Sequence, residues 1–89
     1  MVILELTIIN KLGLHARAAA KLVGEASRFS SSVTLTVNER QVDGKSIMSV
    51  MLLAASQGSP IQLSIEGPDE LDAAAALENL INRRFDEAE

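Results

Sequence analysis

The residues best suited to chemistry are a histidine, His15, and an arginine two positions later, Arg17. A helical pattern of apolar residues begins at Ala16, so His15 stands where a loop becomes a helix. The first turn of a helix leaves backbone N–H groups unpaired, and the amides of Ala16, Arg17 and Ala18 would stabilise an anion attached to the histidine ring. The forked guanidinium of Arg17 suits phosphate oxygens. These residue types at this spacing would suit a phosphoryl group carried on His15.

The same residues have a plainer interpretation, in which His15 caps the helix and Arg17 is a solvated neighbour. The unpaired amides and the helix dipole disfavour a charged imidazolium, so we expect a neutral, nucleophilic ring near pH 7. Gly13 would let the loop turn tightly, and Leu14 would anchor the loop to the core. From these residues alone, a phosphoryl carrier and a capped helix both stay open.

Several other kinds of site lack the residues that they need. The chain has no cysteine and one histidine, so disulfides and thiolate chemistry are excluded, and a zinc site would need three carboxylates around His15. Neither a phosphate-binding loop nor the nucleophile elbow of serine hydrolases occurs. The two aromatic residues, Phe29 and Phe85, cannot form a stacking platform for single-stranded nucleic acid. We therefore expect no metal, no cofactor and no nucleic-acid partner.

Length and charge set further expectations. The 89 residues predict a single domain over 1–89, with its chemistry near the surface. Residues 1–65 hold six Lys/Arg and four Asp/Glu, whereas residues 66–89 hold two and eight, so an acidic final segment follows a mildly basic part. The most apolar stretch, Ile47 to Ala55, is far shorter than the roughly 18 residues that span a bilayer. We expect a cytoplasmic protein that does not insert into a membrane.

The hydropathy pattern predicts the order strand, helix, strand, strand, helix, strand, helix. Alternating apolar residues indicate strands over 2–8, 33–37, 40–43 and 61–65, and the third of these is a short polar edge strand. A turn at Asn38 and Glu39 joins the middle strands as a hairpin, which favours an antiparallel sheet. The predicted buried stripe of the last helix is Leu71, Ala74, Leu77 and Ile81. The fold class is α+β, an open-faced β-sandwich in which three helices cover one face of a four-stranded antiparallel sheet.

The second predicted helix, which Ser46 can cap, is apolar nearly all round. Its predicted buried stripe is Ile47, Val50, Met51 and Ala54, and Met48, Leu52 and Leu53 fall outside that stripe. Because a small domain cannot bury a helix on every side, part of this apolar surface should face solvent.

Two stretches of the sequence resemble one known family. The sequence NKLGLHAR at residues 10–17, followed by AAK at 19–21, resembles the active-site signature of the HPr family, the histidine-containing phosphocarriers of the bacterial phosphoenolpyruvate-dependent phosphotransferase system. The sequence GKSIM at residues 44–48 resembles the regulatory-serine segment of the same family, and the spacing between the two stretches agrees. The predicted order of elements also fits the family fold over essentially the whole chain.

The resemblance implies a phosphoryl relay. His15 would accept a phosphoryl group on its δ1 nitrogen from a phosphohistidine of enzyme I and pass it to a histidine of IIA-type permease domains, while Arg17 steadies the group. The protein would then be a carrier and a substrate of other proteins, not an enzyme, and we expect a monomer that undocks easily from several partners. The exposed docking patch implied for these partners is Ile47, Met48, Met51 and Leu52. Flexible methionine side chains suit a surface that meets different partners.

The resemblance leaves two further points open. Ser46 is either a helix cap or a site phosphorylated from ATP. A phosphate there would add about −1.5 to −2 charges beside the docking patch and so weaken the binding of partners. A Ser46 kinase or phosphorylase would then be a further partner. Ala18 stands where the family often has proline, which keeps a nitrogen-related phosphocarrier of the same fold as an alternative. A regulatory binding module that docks through the second helix and never carries phosphate is the other alternative.

Overall fold

A computed structural model describes residues 1–88 of the chain and confirms the predicted order of elements. The elements are β1 (Val2–Thr7), α1 (Ala16–Ala26), β2 (Ser32–Val37), β3 (Arg40–Asp43), α2 (Ile47–Leu52), β4 (Pro60–Glu66) and α3 (Glu70–Asn82), followed by a short turn, Arg84–Asp86. The four strands form one antiparallel sheet, and the three helices pack with it as an open-faced sandwich, which confirms the predicted fold class. Within residues 1–88, no helix has the length and apolar character that crossing a membrane requires.

The sheet has the strand order β1-β4-β2-β3, so both central strands pair with partners distant in sequence. Leu63 of β4 lies opposite Leu4 on one side and Leu35 on the other. β3 is an edge strand, as predicted from its polar sequence. Asn38 and Glu39, at φ of 50° and 69°, form the left-handed two-residue turn that matches the twist of a hairpin.

The core lies between the sheet and the helices. Strand residues alternate between buried and less buried positions, as a sheet with one covered face requires. The buried strand residues are Val33, Leu35, Val37, Ile61, Leu63 and Ile65. The buried residues of the two long helices are Ala18, Ala19, Leu22 and Ala26 in α1 and Ala73, Ala74, Leu77, Leu80 and Ile81 in α3. The small alanines let both helices approach the rest of the core closely.

Several predictions about buried helix residues are wrong. Ile47 and Met51, predicted to be buried in the second helix, are 39% and 40% exposed. Ala54 is exposed and Leu53 is buried, because α2 ends at Leu52 and Ala54 turns the chain in a left-handed conformation at φ 52°. The helical spacing used for the prediction therefore no longer applies there. Leu71 is 75% exposed, since at 3.6 residues per turn it lies about 120° around α3 from the fully buried Leu77.

The carboxylate of Asp69 ties the start of α3 to the loop before β2. It accepts hydrogen bonds from the backbone N–H groups of Ser30 and Ser31, both at 2.9 Å, and from the Ser31 hydroxyl at 2.5 Å. The bond from the Ser31 hydroxyl, followed by that from the Ser30 amide, holds the pKa of Asp69 below its ordinary value. The carboxylate thus serves a neighbouring loop, and the Asp69 side chain makes no capping hydrogen bond to its own helix.

We expect Asp69→Asn to lower Tm at pH 7, because the charged acceptor of three hydrogen bonds is lost. A lowered pKa in the folded state stabilises the protein above the ordinary aspartate pKa, and this contribution is lost as the pH falls through the lowered value. The Tm difference from wild type should therefore shrink below about pH 4. Thermal unfolding, followed by circular dichroism at pH 7 and at pH 2 to 3, measures this Tm difference. Asp72→Asn, which removes an exposed charge from the same helix start, is the control; equal Tm values for Asp69→Asn and wild type at pH 7 would contradict the assignment.

Candidate functional site

The structure places His15 at the junction of loop and helix, as the N-cap residue of α1. Its backbone is extended, at φ −73° and ψ 178°, and its side chain is 27% exposed. The ring nitrogen Nδ1 accepts a hydrogen bond from the backbone N–H of Arg17 at 3.3 Å. In a neutral ring, a nitrogen that accepts carries the lone pair, so the ring proton is on Nε2. Nδ1 is therefore the nitrogen available to form a bond.

The first amides of α1 surround this nitrogen with partial positive charge. The first helical hydrogen bond runs from Ala19 N–H to the carbonyl of His15 at 2.8 Å, so the amides of Ala16, Arg17 and Ala18 come before the repeating pattern. The buried side chain of Ala18 helps to hold this turn against the core. Amides in this position stabilise an anion bound to the ring.

The loop before His15 is pinned to the segment that follows α2. Gly13 has φ 67°, and a Cβ there would lie 2.5 Å from the carbonyl oxygen of Ala55 and 2.9 Å from Cα of Ser56. Leu14 donates its backbone N–H to the same Ala55 carbonyl at 2.8 Å, and its side chain is buried. Any side chain at position 13 would therefore displace the loop that carries His15.

Glu87 is a residue of the site that the sequence analysis missed. Its Oε2 accepts a hydrogen bond from Nε2 of His15, and its Oε1 accepts one from Asn10 Nδ2 at 3.0 Å. The buried Asn10 also donates to the carbonyl of Gly13 at 2.8 Å, so it links Glu87 to the loop. Burial raises the pKa of Glu87, but the hydrogen bonds from His15 and Asn10 and the positive charge of Arg17 outweigh it and leave the pKa below its ordinary value. Glu87 is thus a carboxylate at neutral pH.

The C-terminal turn carries Glu87 back to the site. Arg84, Phe85 and Asp86 have φ of 58°, 53° and 64°, three successive left-handed residues that reverse the chain after α3. Phe85 is fully buried, and its carbonyl accepts a hydrogen bond from Lys21 Nζ at 2.7 Å. The aromatic anchor and the lysine hold the turn against α1.

A surface cleft of about 510 Å³ opens next to this site. Its lining residues are Lys11, Leu12, Arg17, Lys21, Asp86, Glu87 and Ala88. Its basic residues belong to the loop before α1 and to α1, and its acidic residues belong to the end of the chain. The basic residues suit the approach of an anionic group. In residues 1–88, the structure brings together no three His, Cys, Asp or Glu side chains that could hold a metal ion.

The residues of the docking patch lie at the surface of α2. Their exposed fractions are 39% for Ile47, 68% for Met48, 40% for Met51 and 64% for Leu52. Val50, by contrast, is fully buried, and α2 packs against α1. Since the segment after α2 also holds Gly13 and Leu14, the patch lies on the helix beside the loop of His15.

Ser46 is the N-cap residue of α2. Its Oγ accepts a hydrogen bond from the Ser49 backbone N–H at 3.4 Å and donates to Ser49 Oγ at 3.0 Å. The serine is half-buried and directly precedes the docking patch. The structure therefore supports its capping role and places any modification of it next to Ile47.

Comparisons with known proteins agree with this geometry. Residues 4–83 match the sequence model of the family PTS-HPr, described as "PTS HPr component phosphorylation site". The phosphocarrier protein HPr of Pseudomonas aeruginosa is 60% identical over 87 residues, 97% of each chain. The structure of HPr-C-His from Thermoanaerobacter tengcongensis is similar over 100% of both chains, with a TM-score of 0.96 and 45% identity. An HPr dimer structure from the same organism covers 92% of this chain and 94% of its own, with a TM-score of 0.79 and 48% identity. The chain therefore belongs to the HPr family of phosphocarrier proteins of the phosphotransferase system.

Proposed function

We propose that Nδ1 of His15 accepts a phosphoryl group from phospho-enzyme I and donates it to IIA-type domains of sugar permeases. Membership of the HPr family supports the carrier role. The observation that supports the residue is the position of Nδ1, which faces the backbone amide of Arg17 in the first turn of α1. A carrier of this kind is consumed and regenerated in each transfer and has no turnover of its own.

The chemistry is a displacement at phosphorus. The lone pair of Nδ1 forms the new N–P bond while the bond between phosphorus and the enzyme I histidine breaks, and its electron pair returns to that ring. The amides of Ala16, Arg17 and Ala18 and the guanidinium of Arg17 stabilise the phosphoryl oxygens on the carrier. Donation to a IIA histidine repeats the displacement in the opposite sense.

We expect His15→Ala to abolish phosphorylation by phosphoenolpyruvate and enzyme I. Wild-type protein should gain the mass of one phosphoryl group, and mild acid should remove it, because the N–P bond is acid-labile. Intact-protein mass spectrometry before and after acid measures both properties. Phosphate retained on His15→Ala, or absent from wild type, would overturn the proposal.

The exposed patch on α2 is proposed as the surface that enzyme I and IIA domains share. In this patch, exposed apolar side chains, two of them methionines, lie beside the loop of His15. Burial of such side chains at the centre of an interface typically accounts for much of its binding energy.

We expect Met48→Asp to raise the KM for enzyme I by about 10-fold or more, because a charge would be buried at the interface. Steady-state phosphotransfer assays measure the KM. Leu71→Asp is the matched control, since Leu71 is 75% exposed and Met48 68%, but Leu71 lies on α3. Equal KM values for the two variants would contradict the patch.

We further propose Ser46 as a regulatory site, modified by a dedicated kinase and phosphorylase. A phosphate there adds about −1.5 to −2 charges next to Ile47 and so weakens docking on the apolar patch. The capping hydrogen bond to Ser49 is a separate role of the same hydroxyl.

We expect Ser46→Asp to slow transfer from enzyme I by about 10-fold, because its charge opposes docking. Ser46→Ala removes the cap without adding charge, so it should cost about 0.5–2 kcal/mol of stability and leave the transfer rate near that of wild type. Stopped-time phosphorylation assays and denaturant unfolding separate the two effects. A wild-type rate in Ser46→Asp would exclude regulation by charge.

The setting of the protein is part of the same proposal. Residues 1–89 form a single HPr-like domain that acts in the cytoplasm as a monomer, so that the docking patch stays accessible to successive partners. An HPr dimer is known from Thermoanaerobacter tengcongensis, so sedimentation at assay concentrations decides the oligomeric state.

A further inference from the structure

We propose that Glu87 is a positioning residue for phosphoryl transfer, which keeps the proton of His15 on Nε2 before, during and after phosphorylation of Nδ1. This inference rests on the proposed function, because it concerns how the same histidine works. Glu87 contacts the ring at Nε2, whereas the proposed phosphoryl acceptor is Nδ1, so Glu87 would act through the other nitrogen of the imidazole ring.

The ring of His15 is held from both sides. Arg17 N–H donates to Nδ1, and Nε2 meets the carboxylate of Glu87. A neutral imidazole has one donor and one acceptor nitrogen, so these two contacts together select the tautomer with the proton on Nε2. Asn10 fixes the carboxylate in turn, through its hydrogen bond to the second oxygen of Glu87 at 3.0 Å.

The backbone conformation directly before Glu87 costs free energy, which argues against an accidental contact between Glu87 and His15. Three successive residues other than glycine adopt left-handed φ values, at roughly 1–2 kcal/mol each. Such a turn persists only when its surroundings compensate for it, here by the burial of Phe85 and the hydrogen bond from Lys21. The turn brings the carboxylate of Glu87 to Nε2, and only 12% of the Glu87 side chain stays exposed.

The contact between Glu87 and His15 matters because the ring gains a positive charge during the reaction. When the Nδ1 lone pair bonds to phosphorus, the ring keeps its Nε2 proton and becomes a phosphoimidazolium with one positive charge. The carboxylate of Glu87 lies against that charge and stabilises it. When the N–P bond breaks during donation, the electron pair returns to Nδ1 and the neutral ring with its Nε2 proton is restored. No proton moves in either direction.

The protonated ring is also the better leaving group, since it departs as a neutral imidazole. A phosphorylated ring that loses its Nε2 proton must instead leave as an anion. Glu87 should therefore extend efficient donation to higher pH. The other charged groups that line the same cleft as Glu87 are Arg17 and Lys21 of α1, Lys11 of the preceding loop and Asp86 of the turn.

Two variants separate the charge of Glu87 from its hydrogen bond. Glu87→Gln keeps an oxygen that can accept a hydrogen bond from Nε2–H but loses the charge, and Glu87→Ala loses both. Asp86→Asn is the matched control, because it removes a charge from the adjacent position, where Asp86 pairs with Arg83 and Lys21 and not with His15. Circular dichroism checks that each variant is folded.

The first measurement is the ¹⁵N NMR spectrum of the unphosphorylated histidine ring, which reports the tautomer without any transfer. We expect the Nε2-protonated form in wild type, Glu87→Gln and Asp86→Asn, and a mixture of tautomers in Glu87→Ala. A wild-type spectrum for Glu87→Ala would overturn the positioning role, whether or not the protein carries phosphate.

The second measurement is the pH profile of transfer from the phosphorylated protein to a IIA domain. We expect the alkaline limb of the profile to fall about one pH unit lower in Glu87→Gln than in wild type, which is a loss of about 10-fold in rate at fixed alkaline pH, and to stay in place in Asp86→Asn. Identical profiles for Glu87→Gln and wild type, or an equal shift in Asp86→Asn, would overturn the role of the charge. Wild-type protein that takes no phosphate from enzyme I would instead overturn the proposed function.

Discussion

The site depends on one hydrogen bond, from the backbone N–H of Arg17 to Nδ1 of His15. This contact turns the ring so that its lone pair faces the first amides of α1. The amides of this turn, including the Arg17 amide that orients the free ring, are then available to the oxygens of a group bound to it. A helix beginning one residue earlier or later would remove this arrangement, because the histidine would no longer be the N-cap residue.

The fold supports that hydrogen bond from two sides of the chain. Gly13 lies so close to the carbonyl of Ala55 that the loop before His15 cannot shift without moving the segment after α2. At the other end of the chain, the buried Phe85 fixes the turn that brings Glu87 to the ring. A chain of 89 residues has little depth, so a surface histidine held by backbone contacts and short loops is a solution that suits its size.

Local patterns were enough to predict much of the fold. The alternation of Val33, Leu35 and Val37 predicts β2, and the alternation of apolar residues predicts β4 in the same way, because one face of the sheet is covered. The strand order β1-β4-β2-β3 could not be predicted, since it depends on pairings between distant strands. The end of α2 was misjudged because the left-handed residue there is alanine, which has no particular preference for that conformation.

The candidate site was predictable only in part, because some of its contacts join residues that are distant in sequence. The helix start and the spacing of His15 and Arg17 are local features. The hydrogen bond between His15 and Glu87 joins residues 72 positions apart, and it exists because three left-handed residues reverse the chain after α3. No periodicity signals such a turn, and the acidic end of the sequence indicated only an excess of charge. The buried Phe85, one of two aromatic residues in the chain, was the signal that could have pointed to an anchored C-terminal segment.

The most direct test of this account is to identify the nitrogen that carries phosphorus. Protein labelled with ¹⁵N in histidine, phosphorylated by enzyme I and phosphoenolpyruvate, gives separate NMR signals for the two ring nitrogens. We expect one-bond coupling to ³¹P on Nδ1, with Nε2 still protonated. Coupling to ³¹P on Nε2, the nitrogen that faces Glu87, would contradict it.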